Sequence, residues 1–202
     1  MNKNFFGIGK DYLKNGHKEE AFNAFEQGAT LGDAKAIFGL AIMYYHGWWV
    51  EENIAHAQEL FASCFDELNR LASENDGEAA YILYSCYDCL SNERFIENDD
   101  EKALEYLELS AELGFPDGMF MLGVALRCGT LLPIEYDDVE ALNLFEKCAA
   151  LGMPEAMLEI GDYYFKTDSQ KARKWYEKAL EAGEEEAKEC LECLENGRDL
   201  WL

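Results

Sequence analysis

The 202-residue chain carries 41 acidic against 17 basic side chains, a formal charge of -24 at pH 7, and this argues against nucleic acid or an anionic membrane surface as a partner, since both need clustered lysine and arginine. An apolar fraction of 49% with three prolines argues against disorder and leaves enough material for a continuous core. No run reaches the ~18 apolar residues of a membrane span, the opening Met1-Asn2-Lys3-Asn4-Phe5-Phe6 does not continue into a signal-like apolar stretch, and the odd number of unevenly placed cysteines, seven in all, fits reduced thiols in a cytoplasm better than a disulfide framework.

In chain order, the first pattern begins at Asn4 and continues through the apolar residues Phe6, Ile8 and Tyr12, with the small residue Gly9 among them. A second helix follows from Ala21, with Ala24, Phe25, Gly28 and Ala29 on its inner face and Gly32 beyond its end. The first pattern returns at Ala36 (Phe38, Leu40, Ala41, Tyr44), Ala79 (Tyr81, Leu83, Tyr87), Gly118 (Phe120, Leu122, Gly123, Leu126) and Ala156 (Leu158, Ile160, Gly161, Tyr164), with starts 32, 43, 39 and 38 residues apart. The second returns at Ala57, Ala103, Ala141 and Ala172. A fixed alternation at this period marks stacked helix pairs rather than one enzyme domain.

Punctuation agrees with periodicity. Asn53, Asp99, Asp137 and Asp168 stand four residues before the second-helix alanines as N-caps, each worth about 1 kcal/mol, with the weaker His17 in the first unit. Gly32, Gly114, Gly152 and Gly183 suit helix ends. Gly9, Ala41, Gly123 and Gly161 are small enough for helix backbones to approach closely, whereas Tyr84 at that place is expected to loosen the third unit. The helix from Ala57 meets Leu68 where glycine is expected, which predicts a longer helix and an irregular joint near residues 66–78. After residue 186, Ala187, Leu191 and Leu194 with an acidic outer face read as a capping helix, followed by a tail holding Trp201 and Leu202.

The segment Ala36-Ile37-Phe38-Gly39-Leu40-Ala41-Ile42-Met43-Tyr44-Tyr45-His46-Gly47, continued by Val50, Asn53 and Ala57, resembles a Sel1-like repeat, and Gly118 to Gly129 matches nearly as well. The resemblance covers about residues 4–195. It implies a tetratricopeptide-like, all-α, right-handed α-α superhelical solenoid of about five helix pairs, with units at about residues 4–33, 34–77, 78–115, 116–154 and 155–186 and a capping helix and tail at 187–202. Departures from the family pattern are Leu90 and Thr167 at helix ends and Trp49 in place of a loop glycine.

Chemistry is sparse. The pairs Cys86/Cys89 and Cys190/Cys193 lie within helices about a hundred residues apart and read as small seam residues, not as a zinc or redox site. Secreted cysteine-rich members of the family bridge successive helices, but Met157 stands where the partner of Cys148 belongs. His17, His46 and His56 form no metal or nucleophile motif. No catalytic residue, cofactor or metal ligand is assigned, and the chain reads as a non-enzyme.

The expected partner surface is the concave side lined by first helices. Its candidate residues are Tyr45, Asp88, Arg127 and Phe165 nine places after the pattern starts, Asp162 at the sixth place, and the loop pair Trp48 and Trp49. The leading expectation is a cytoplasmic adaptor, monomeric or weakly self-associating, for a basic protein or peptide. The alternatives are an immunity protein that neutralises a toxin and, as the family resemblance implies, a hydrolase of the β-lactamase-like type.

Overall fold

The computed structural model describes residues 3–88, 95–129 and 134–197. Among them are eleven helices: α1 (Phe5–Lys14), α2 (Lys18–Thr30), α3 (Ala34–His46), α4 (Ile54–Ser73), α5 (Gly77–Tyr87), α6 (Asp100–Glu112), α7 (Pro116–Cys128), α8 (Asp138–Ala150), α9 (Pro154–Tyr164), α10 (Ser169–Glu181) and α11 (Glu186–Asn196). Odd-numbered helices through α9 carry the first pattern, even-numbered helices the second, and α11 occupies the capping place. Cys89, Leu90, Trp201 and Leu202 lie outside the described residues.

Two compact halves, residues 1–103 and 104–202, divide the chain within α6. In the first, α1 packs on α2, α2 on α3, α3 on α4 and α4 on α5, with a further contact between α1 and α3. In the second, α7, α8, α9, α10 and α11 pack successively in the same manner.

The cores are made by second-helix side chains entering spaces left by small first-helix residues. Phe25 of α2 is 1% exposed, and a Cβ on Gly9 or Gly39 would fall 2.2 or 2.6 Å from its ring. Phe145 of α8 sits on Gly123 in the same way, and Tyr176 of α10 on Gly161, where a Cβ would meet ring atoms at 2.7 and 2.4 Å respectively. Gly9, Gly123 and Gly161 therefore make room for an aromatic ring from the paired helix, not for a second backbone. Tyr84 at the equivalent place of α5 is itself buried, at 6% exposure.

Helix ends follow side-chain chemistry. Asn53, Asp99, Asp137 and Asp168 each accept from first-turn amides at 3.0–3.1 Å, while His17 makes no such bond. Asp33 and Asp76 do the same for α3 and α5, and α7 and α9 instead open on Pro116 and Pro154, whose missing amide hydrogen leaves one fewer donor to satisfy. Much of the acidic clustering at residues 97–101 and 135–138 thus lies at helix starts, where the dipole favours negative charge. The long α4 absorbs the insertion and stops at Ser73, so the irregular joint contracts to Glu74, Asn75 and Asp76. Asn75, at φ 69°, takes the left-handed conformation for which glycine was expected; asparagine is among the few side chains that tolerate it.

Candidate partner-binding site

The candidate residues fall in both halves. In the first half the loop from α3 to α4 is tied at both ends: the Trp48 amide donates to the Met43 carbonyl at 3.0 Å, and the Asn53 amide to the Tyr44 carbonyl at 2.9 Å. Gly47 turns the chain out of α3 in the left-handed region, at φ 65°. Trp48 is half-buried, with its indole stacked on His46 at 4.7 Å between centroids and Lys18 Nζ 5.6 Å from its ring. Trp49 is 57% exposed and has φ 71°, a conformation that costs a side-chain-bearing residue about 1–2 kcal/mol. It adopts the backbone of the glycine that the repeat pattern places there.

Tyr45 is half-buried, in edge contact with His46 at 5.3 Å and Phe95 at 5.4 Å. Phe95 also stacks on Phe61 at 4.8 Å and meets Phe38 at 6.2 Å, so this residue from an aperiodic stretch covers the α3–α4 seam. Asp88 follows the end of α5 with 9% exposure, and its carboxylate accepts from the Tyr84 hydroxyl at 3.4 Å.

A further charged cluster joins the first helices of this half. Lys35 Nζ donates to Asp76 at 2.8 Å and Glu78 at 3.0 Å, and Lys10 Nζ donates to the other oxygen of Glu78 at 2.6 Å. Burial alone would lower the Lys35 pKa, but hydrogen bonds and charge from Asp76 and Glu78 outweigh it and raise the value. Lys35 and Glu78 each immediately precede a pattern start, Ala36 and Ala79. That shared register was the available signal for the pair, although periodicity directs attention to apolar positions.

In the second half, Arg127 at the end of α7 reaches across to α9, where it contacts Glu159 and stands 3.9 Å from Asp162. Asp162 also accepts from the Tyr176 hydroxyl of α10 at 2.7 Å. The carboxylate side chains are only 17% and 15% exposed. Burial raises both pKa values, with Arg127 acting against the shift in each case and the Tyr176 hydrogen bond also opposing it at Asp162. Glu159 Oε2 is buried without an aligned hydrogen-bond donor, so the Arg127 charge is what offsets its burial. Phe165, at the end of α9, is half-buried against the cluster that contains Tyr176, Ala179 and Cys190. Arg127 and Asp162 thus come together, joined by Tyr176, which the second-helix pattern marked only as an apolar seam residue, and by Glu159, which the pattern did not single out.

The thiols are chiefly seam residues. Cys64, Cys86, Cys148 and Cys190 are buried and Cys193 is half-buried, but Cys128 at the end of α7 is exposed, contrary to a seam position for every cysteine. Among the described residues no three His, Cys, Asp or Glu side chains are grouped to hold a metal ion, and no helix is long and apolar enough to cross a membrane.

Paired helices with ring-into-glycine seams and a changing set of side chains on their first helices define a helical-repeat protein. The chain belongs to the Sel1 repeat family, whose model matches residues 34–63, 78–115, 116–153 and 148–184; α1 and α2 precede the matched region and continue the alternation. No curated protein sequence matches. Among solved structures, the chain is similar to a Sel1 repeat protein from Oxalobacter formigenes, with 29% identity over 63% of this chain and 96% of that one and a TM-score of 0.55. It is also similar to c5321, described as a protective antigen of uropathogenic Escherichia coli strains displaying an SLR fold, with 25% identity, 96% of this chain, 41% of that chain and a TM-score of 0.65. The immunity protein Pa5087 from Pseudomonas aeruginosa shares the fold at 19% identity, over 83% of this chain and 59% of that one, with a TM-score of 0.53. Sel1 repeats form protein-interaction scaffolds, and their helical fold is in general non-enzymatic.

Proposed function

We propose that this chain is a cytoplasmic adaptor that holds a basic protein or peptide along the first helices of its repeats. The observation that carries the reading is how its charge is distributed. Lys10, Lys35 and Arg127, all on first helices or at their ends, are engaged by carboxylates of other first helices or of the turn before one. Asp11 and Glu155 on first helices are exposed, as are Glu51, Glu52, Glu59, Glu97, Glu146 and Glu189 on loops, second helices and the capping helix, within a chain of net charge -24. Such a surface attracts a cationic partner, speeds its encounter and resists anionic competitors. Immobilised protein should retain its partner at low ionic strength and release it near ~0.5 M salt, where the screening length is only a few ångström; capture unaffected by salt would remove the basic-partner reading.

A second reading is toxin neutralisation. It is supported by the fold shared with immunity proteins Pa5087 and Pa5088 from Pseudomonas aeruginosa and by the acidic surface, which suits a basic toxin. Co-expression with a toxin encoded beside this gene should restore growth; continued poisoning despite a stable level of the protein would count against it.

A further inference from the structure

The loop that follows α3 presents Trp49 at a cost to its own backbone. The indole is 57% exposed on a residue at φ 71°, so neither core burial nor backbone comfort accounts for a large ring there. Glycine would relieve the backbone and remove the exposed apolar surface together. The loop is closed by the Met43 and Tyr44 carbonyls, and Gly47 lies so near Glu52 that a Cβ would fall 3.2 Å from the Glu52 amide nitrogen. The ring is therefore offered from a pre-organised support, which limits the ordering entropy lost on binding.

Its surroundings indicate which chemistry it would receive. Glu51 and Glu52 follow after Val50 and are exposed, and Glu59 is exposed on the next helix. Beside it, Trp48 already receives a cation, the Lys18 ammonium at 5.6 Å. An exposed indole with exposed glutamates two and three residues further along the chain favours a guanidinium above all, since arginine stacks flat on an aromatic face while its edge donates to carboxylate oxygens.

We propose that Trp49, with Glu51 and Glu52, forms the docking platform for an arginine-bearing basic segment of the partner protein. This rests on the basic-partner reading above and assigns it a place. Trp49 stacks on the guanidinium, and the two glutamates supply charge and hydrogen-bond acceptors.

Calorimetric titration with a hexa-arginine peptide, and with hexa-lysine as the comparison, tests the platform. Wild type should bind hexa-arginine more tightly than hexa-lysine. Trp49→Ala should weaken hexa-arginine about tenfold, as expected of an aromatic anchor, and the Glu51→Gln/Glu52→Gln pair should weaken it and flatten its salt dependence. Trp49→Gly should lose affinity to the same extent while melting at or above the wild-type temperature. Equal binding by wild type and Trp49→Ala would overturn the platform and leave the basic-partner reading standing, whereas a wild type that binds neither peptide would overturn both. A Trp49→Gly protein that melts several degrees lower would also overturn the platform, because the indole would then be serving the fold.

Discussion

Replacing Gly161 by alanine tests the seam principle where the facing ring is also held by a hydrogen bond. The new Cβ would lie 2.4 Å from Cε1, 2.5 Å from Cδ1 and 3.0 Å from Cζ of Tyr176, whereas carbon atoms rest at about 3.5–4.0 Å. The ring must therefore withdraw by about 1 Å. It has nowhere to go: Tyr176 is 0% exposed, and its hydroxyl is held by Asp162 at 2.7 Å. Overpacking costs about 1–3 kcal/mol, and breaking the tyrosine hydrogen bond adds about 1 kcal/mol. Alanine returns about 1 kcal/mol through its better helix propensity.

The net loss should be about 2 kcal/mol, which for a chain of this length lowers the melting temperature by roughly 4–8 °C. Thermal unfolding followed by circular dichroism at 222 nm reads this directly. Gly123→Ala provides the graded comparison. Its Cβ would meet Phe145 at 2.7 Å, but that ring has no hydroxyl to anchor it and should yield more readily, so the loss should be smaller. A Gly161→Ala protein melting at or above wild type would refute the claim that the ring fills the glycine's space.

Other outcomes follow from the buried charges and thiols. Arg127→Met should lower stability to urea by about 2 kcal/mol, because Glu159 and Asp162 would be left without their compensating cation; the value sits below that of a fully buried pair because the cluster retains some solvent access. Adding Glu159→Leu should recover part of that loss. Because burial raises the folded-state pKa of Glu159 and Asp162, the stability associated with their protonation is fully present below the ordinary carboxylate range and is lost as pH rises through the raised values. Asp162→Asn, which keeps an acceptor for Tyr176, should therefore show a flatter decline in melting temperature from mildly acidic to neutral pH than wild type; an unchanged slope would contradict this account. In native protein, iodoacetamide should modify exposed Cys128 before the buried thiols, since burial pushes Cys64 up to about 12 and Cys148 up to about 11. Peptide mapping after brief labelling distinguishes them, and early modification of Cys64 would count against its placement in the seam.

The helices were legible because their signals are local. Apolar positions at three- and four-residue spacing, the amide or acidic caps Asn53, Asp137 and Asp168, and glycine at residues 32, 152 and 183 act within a turn or two of chain. Each can be read without knowing what lies across the seam. The pairing of Gly161 with Tyr176 was only half legible: the sequence marked a small residue and an apolar residue at their separate places, but not that one is the space for the other. Likewise Trp49 was marked by occupying the place of a loop glycine, while its positive φ and open ring depend on how the α3–α4 loop closes.

By itself, then, the sequence determined the repeat, its helix ends and its negative charge, because these are set by neighbours in the chain and by composition. Only the tertiary structure decided which charges are committed. Arg127 and Asp162, separate places in a periodic pattern, become parts of one cluster with Glu159 and Tyr176, and Lys35 joins Asp76 and Glu78 from more than forty residues away. Such contacts depend on the distance and direction between packed helices, and burial then changes the proton affinity of the groups they bring together. The same packing distinguishes Trp48, stacked on His46, from Trp49 beside it, which turns its ring to solvent.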